Sequence, residues 1–128
     1  MCRSSAVGYY GWTMKKLAEV TDRIIAFRNA RDWQQFHNPK DLAISLVLEA
    51  TEVMEHFQWK NKEEMEKYIV EHKDDVAEEL ADTLYWVLLM AHDLNIDVVA
   101  ALEAKMQKNE AKYPIEKAKG KHTKYTRL

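Results

Sequence analysis

Between Leu46 and Trp86 the chain carries two pairs of acids, Glu49 with Glu52 and Glu79 with Asp82, each three residues apart. The text around them, LVLEATEVMEHFQW and DDVAEELADTLYW, reads as helix. Each pair therefore sits on neighbouring turns of one face, about 60° apart around the axis. At roughly 100° per residue, Leu42, Leu46, Val53 and Phe57 fall between about 20° and 80° from Glu49. Glu49 thus borders the apolar stripe instead of lying opposite it. Val76, Leu80, Thr83 and Val87 fill the same arc beside Glu79, and Asp75 lies one turn before Glu79 on that side. If the two apolar faces pack, four or five acids converge at the edge of one core. Carboxylates gathered there repel and lose hydration unless a cation or protons compensate. One such pair is unremarkable on a solvated helix; two with the same offset, both at a core border, point to metal.

Hard oxygen ligands with no Cys or His in the set favour Mg²⁺, with Mn²⁺ the alternative, over zinc. A di-iron bundle needs Glu-x-x-His on two helices. His56 follows Glu52 by four residues, and no Glu-x-x-His accompanies the second pair. His56, His72, His92 and His122 show no ligand spacing and are expected to be incidental.

The remaining chain suits an all-α domain. Three Gly and two Pro in 128 residues leave few breakers, and no alternating strand pattern of useful length occurs. Residues 1–12 read as a loose N-terminal arm, and 13–128 as a single helical domain with a basic C-terminal tail. Thr13 is positioned to cap a first helix with Leu17, Val20, Ile24 and Phe27 on its stripe, ending near Arg28. RNARDWQQFHNP reads as a structured loop. Asn38 followed by Pro39 is a cap and first-turn signal for the helix of the first acid pair, expected to end near Trp59. Asn61 with Glu64 resembles a capping box opening a short helix, Lys62 to Glu71. The second acid helix is expected from about Asp74 to Asp93, with Asn95 left-handed after it. Asp97 caps a last helix, Val98 to about Tyr113, stopped by Pro114. Four main helices with short connections predict an antiparallel bundle.

Composition removes several function classes. A net charge of −2 gives no electrostatic footprint for duplex nucleic acid. No apolar run approaches a membrane span. A single cysteine, Cys2, excludes an intrachain disulfide framework and suits a reducing cytoplasm. The tail, with Lys117, Lys119, Lys121, Lys124 and Arg127 around Gly120, is either a solvated basic terminus or a lid over a polyphosphate. Trp33 and His37 precede the first acid helix, Trp59 ends it, and Trp86 follows Asp82 by one turn. Flat rings near a metal–phosphate site can stack a nucleobase, though core packing accounts equally well for each alone. Lys105, Asn109 and Lys112 share one side of the last helix, followed by Tyr113.

Glu49-x-x-Glu52, a long interval and Glu79-x-x-Asp82 resemble the metal motif of MazG-like nucleotide pyrophosphohydrolases. RDWQQFHNPKDLAISLVLEATEVMEHFQWK, EELADTLYWVLLMA, KMQKNEAKYP and the terminal KYT are similar to the small dCTP-pyrophosphatase-like branch, over roughly Leu17 to Tyr125. The resemblance implies an all-α, Mg²⁺-dependent enzyme cleaving a nucleoside triphosphate to monophosphate and pyrophosphate, in a house-cleaning role. It implies that Glu49, Glu52, Glu79 and Asp82 hold the metal. It implies that Trp33 and Trp59 enclose the base and that Lys105 and Asn109 reach the nucleotide. His37, Trp86, Lys112, Tyr113, Lys121 and Tyr125 complete the expected substrate contacts. Two positions depart from the branch: Ile24 stands where it has His, and Trp86 where it has Tyr. Relatives form tight dimers, often paired into tetramers. Apolar residues surrounding more than one face of the second acid helix likewise predict a homo-oligomer, a tetramer before a dimer. A dUTPase-like activity and a non-catalytic helical oligomerisation module stand as alternatives.

Overall fold

The computed structural model describes residues 6–128, with side chains from Lys15 onward. The described residues contain helices and turns and no strand, as the scarcity of breakers predicts. The helices are α1 (Ala6–Asn29), α2 (Pro39–Glu55), α3 (Lys62–Glu71), α4 (Lys73–Asp93), α5 (Val98–Lys112) and α6 (Ile115–Ala118). Short 3₁₀ turns occupy Trp33–Phe36 and Tyr125–Arg127. None of the described helices is long and apolar enough to cross a membrane. The chain divides into two compact units, one reaching to Leu94 and the other spanning Asn95–Leu128.

Local signals set most of the boundaries. Asn38 Oδ1 accepts from the Asp41 amide at 3.0 Å, and Pro39 occupies the first turn of α2. At α3 the capping box is complete: Asn61 accepts from the Glu64 amide at 3.0 Å, and Glu64 accepts from the Asn61 amide at 2.8 Å. Asn95 takes a left-handed φ of 54° after α4, and Asp97 caps α5 through the Ala100 amide at 3.0 Å.

Two boundaries differ from expectation. The first helix starts at Ala6 and not at Thr13, so residues 6–12 of the expected arm are helical; residues 1–5 lie outside the described residues. Nothing before Pro39 blocks the backbone ladder, and extending a formed helix adds one hydrogen bond per residue. That gain outweighs the roughly 1 kcal/mol cost of each of Gly8 and Gly11. At its other end α2 stops at Glu55. The chain then turns through amides of Phe57 and Gln58 that both donate to the Met54 carbonyl at 3.0 Å. Trp59 follows with φ 69°, a left-handed conformation disfavoured for a bulky residue by about 1–2 kcal/mol.

In the first unit α4 packs most extensively on α2, and also on α1 and α3. Glu49 lies by Asp82 and Glu52 by Glu79, so α2 and α4 run antiparallel. Along α1, Ile24 and Phe27 share a cavity with Tyr85 while Arg28 meets Asp93, so α1 and α4 advance together. Among the described side chains the buried apolar core is small: Leu42, Leu88 and Leu89. Leu89, which the helical wheel places outside the packed arc of α4, is completely buried, because α1 covers that side as well. Arg28 joins this core at 1% exposure. In the second unit Tyr125 folds back on the end of α5, edge-on to Tyr113 at 5.8 Å and beneath the Lys112 ammonium at 4.8 Å. Gly120 supplies the left-handed turn that reverses the tail, φ 74°.

Candidate metal centre and its surroundings

The antiparallel pairing of α2 and α4 brings the acids together. Glu49, Glu79 and Asp82 each offer a carboxylate oxygen, and the three oxygens lie within 4.8 Å of one another. Glu49 and Glu79 are half-buried, whereas Asp82 is exposed and leaves one side open. One oxygen of Glu79, Oε2, is buried and has no hydrogen-bond partner. An orphaned carboxylate oxygen inside an acidic cluster is costly unless a cation meets it. Three hard oxygens with an open side fit a divalent cation of the Mg²⁺ or Mn²⁺ type.

Glu52 stands slightly apart. It is exposed and outside that trio, and the carboxyl that acts on it most strongly is Glu79. A hydrogen bond shared with the Glu79 carboxyl, together with the Glu79 charge, pushes the Glu52 carboxyl above its ordinary range. Burial pushes Glu49 up too, partly offset by a long hydrogen bond from the Trp86 indole, Nε1 to Oε1 at 3.4 Å. Without a cation, Glu49 and Glu52 therefore hold protons more tightly than free carboxyls.

The two ends of the cluster differ in chemistry. Beyond Glu49 the surroundings are aromatic. Trp86 lies edge-on to His37 at 5.7 Å and to Tyr85 at 5.1 Å. Tyr85, Ile24, Phe27, Val20 and Arg23 line a cavity of about 360 Å³. Trp33 packs edge-on against Phe27 at 5.8 Å, with the Arg31 guanidinium 3.7 Å from the Phe27 centroid. Burial lowers the His37 imidazole pKa, helped by the charge of Arg28, so His37 is held neutral. Its Nδ1 is buried without a partner.

Beyond Glu52 and Glu79 the surroundings are polar. Glu52, Glu55, His56, Tyr68 and Glu79 line a cleft of about 320 Å³. His56 Nδ1 is 2.7 Å from the Tyr68 hydroxyl, and Tyr68 stacks on His72 at 4.2 Å. His72 Nδ1 in turn meets Asp75 Oδ2 at 2.9 Å.

Of the residues expected at the site, the structure brings Glu49, Glu52, Glu79, Asp82, Trp86 and His37 together. Trp33 joins through the Phe27–Tyr85 cavity. Trp59 is 92% exposed and has no aromatic partner among the described residues. Lys105, Asn109, Lys112, Tyr113, Lys121 and Tyr125 belong to the second unit, where Lys112, Tyr113 and Tyr125 cluster. His56 and His72, read as incidental, are corrected: His56 lines the acid cleft and His72 backs its partner. Their contacts cross the α2–α3 connection and the α3–α4 junction, which ligand spacing within one helix does not report. The Arg28–Asp93 pair, 2.6 Å apart, is also new. Its signal was a charge four residues after Ile24, on the apolar stripe of α1.

Comparison with known proteins agrees with this geometry. Residues 44–128 match the MazG-like family. The chain is 35% identical to dCTP pyrophosphatase 1 of Rattus norvegicus, over 98% of this chain and 75% of the relative. It is 33% identical to dCTP pyrophosphatase 1 of Homo sapiens, again over 98% of this chain and 75% of that protein. Among solved structures, a pyrophosphatase from Archaeoglobus fulgidus DSM 4304 superposes with a TM-score of 0.74 at 37% identity. That match covers 77% of this chain and 93% of that one. With helices, paired acids and relatives all in agreement, this chain belongs to the MazG-like family.

Proposed function

We propose that the chain is a divalent-cation-dependent nucleoside triphosphate pyrophosphohydrolase, with Mg²⁺ as the working ion and dCTP-like deoxynucleotides as substrates. It is an enzyme acting on phosphoric anhydrides, the class to which its named relatives belong. The observation that carries the reading is the three-carboxylate cluster around a buried, unpartnered Glu79 oxygen.

Glu49, Glu79 and Asp82 would hold a divalent cation, which would supply neutralisation of phosphate charge and acidification of a water. Glu52, beside that trio and not part of it, takes the water's proton. Trp86 fixes Glu49 through its indole N–H. The base lies toward the aromatic end, in the cavity of Ile24, Phe27 and Tyr85, with Trp33 and neutral His37 at its border. Stacking there selects an aromatic heterocycle over bare polyphosphate. Lys112, Tyr113 and Tyr125 form a small basic, aromatic cluster, and Lys105, Asn109 and Lys121 of the same unit add polar groups suited to phosphate and sugar contact.

The functional unit is a homo-oligomer, a tetramer in preference to a dimer. Ile44, Val47 and Leu48 on α2 and Leu80 and Leu84 on α4 are exposed, while among the described side chains only Leu42, Leu88 and Leu89 are buried apolar ones. So large an exposed apolar surface marks an interface. Trp59, exposed on a left-handed turn, serves the site of a neighbouring copy. Pyrophosphate release from a panel of triphosphates with Mg²⁺ tests the reading. Release from deoxynucleotides but not inorganic triphosphate is expected; a uracil-only profile would favour the dUTPase-like alternative. Complete inactivity on every triphosphate would reject the enzyme reading.

A further inference from the structure

We infer that His56 is a catalytic residue that hydrogen-bonds the departing pyrophosphate, and that Tyr68 positions it. The inference rests on the proposed pyrophosphohydrolase reading and adds the leaving-group side of the reaction.

If the base lies toward Trp86 and Tyr85 and the α-phosphate lies at the carboxylates, the β- and γ-phosphates must extend the other way. The other end of the cluster is the cleft of Glu52, Glu55, His56, Tyr68 and Glu79. Apart from its three carboxyl groups, the lining offers His56 and Tyr68 as hydrogen-bond donors. They are 2.7 Å apart, His56 Nδ1 to the Tyr68 hydroxyl. A phenol is a good donor, and with the hydroxyl donating to Nδ1 the ring's proton resides on Nε2. That leaves Nε2–H as the imidazole's donor to the cleft. Glu55 repels phosphate there, and a fixed N–H donor offsets part of that repulsion.

Tyr68 is itself held on three sides. Its ring stacks on His72 at 4.2 Å, with the planes 20° apart, and carries the Lys60 ammonium 4.2 Å from its centroid. His72 is tied to Asp75 at 2.9 Å. The complete capping box at Asn61 and Glu64 fixes the start of the helix that presents Tyr68. The imidazole is thus set by a short chain of contacts running from α4 through α3 to the end of α2.

In the step itself, water oxygen forms a bond to the α-phosphorus as the bond from that phosphorus to the α,β-bridging oxygen breaks. Pyrophosphate leaves with that electron pair, and Glu52 takes the water's proton. Charge grows on the bridging oxygen and the β-phosphoryl oxygens. The His56 Nε2–H stabilises it without giving up its proton, as a preorganised donor does.

The test compares wild type, His56→Ala, His56→Gln and Tyr68→Phe on dCTP with Mg²⁺. It then compares β,γ-methylene dCTP with β,γ-difluoromethylene dCTP, whose leaving group is less basic. His56→Ala is expected to lower kcat about 100-fold with little change in KM. His56→Gln, which keeps an N–H donor, should recover part of that loss, and Tyr68→Phe should lose less than His56→Ala. The defect of His56→Ala should shrink on the difluoromethylene substrate, because a better leaving group needs less help. A purely structural role predicts equal defects on both analogues. Equal defects, or His56→Ala and His56→Gln both within twofold of wild type, would overturn the inference while leaving the pyrophosphohydrolase reading intact. A wild-type protein inactive on all triphosphates would instead overturn the reading beneath it.

Discussion

Single side chains carry opposite electrostatic roles on the two sides of α4. At the acid cluster, Glu49 and Glu52 have raised pKa values, so the folded, metal-free protein binds protons more tightly than the unfolded chain. That contribution to stability is present below the ordinary carboxylate range, about pH 4.5, and is lost as pH rises through the raised folded values. Glu52→Gln removes the conflict with Glu79, so its metal-free stability at neutral pH should exceed wild type, while turnover collapses. Thermal unfolding in chelator paired with a pyrophosphate assay checks both; a less stable variant with normal turnover contradicts the site. At the other side, burial raises the Asp93 carboxyl, but hydrogen bonds and charge from Arg28 and His92 outweigh it and leave the pKa depressed. This stability is present above about pH 4 and is lost as pH falls through the lowered value. His37, also lowered, adds in the same direction: its share is complete above about pH 6.5 and fades as pH falls below it. Asp93→Asn leaves the Arg28 charge buried and unpaired, a loss of about 3 kcal/mol. Denaturant midpoints across pH 4–8 measure it, and an unchanged midpoint at pH 7 would contradict the pairing.

Among the elements, the turn after α2 bears the clearest conflict between local preference and use. Trp59 holds φ 69° with 92% of its surface exposed, so neither backbone nor burial recommends tryptophan there. Strain at an exposed residue is consistent with a functional demand. Trp59→Gly should stabilise the fold by about 1 kcal/mol while raising KM for nucleotides severalfold. Equal KM values would remove Trp59 from substrate binding. Much of this layer was legible in the sequence: Asn38–Pro39, Asn61 with Glu64, Asn95 and Asp97 each act through neighbours within four residues. The acid cluster was legible too, because its spacing repeats on two helices. What escaped were contacts between elements, Arg28 with Asp93 and His56 with Tyr68, since helical periodicity gives a residue's face but not its partner. The early start of α1 escaped because the Thr13 cap competes with ladder propagation, a contest decided by summed small energies.

At the scale of the whole molecule, a single copy leaves much of the apolar surface of α2 and α4 uncovered, so folding and assembly should be linked. Ile44→Asp with Val47→Asp should dissociate the oligomer and abolish turnover together, as light scattering and assay on the same sample would show. A fully active monomer would remove the assembly from the account. The central claim, that the α2–α4 carboxylates direct hydrolysis at the α-phosphorus, has a more direct test. Hydrolysis of dCTP with Mg²⁺ in ¹⁸O-labelled water, analysed by mass spectrometry, reports which phosphorus is attacked. Attack at the α-phosphorus gives label in dCMP, unlabelled pyrophosphate, and loss of both products in Asp82→Asn. Label in inorganic phosphate or pyrophosphate, or an Asp82→Asn variant that turns over normally, would contradict it.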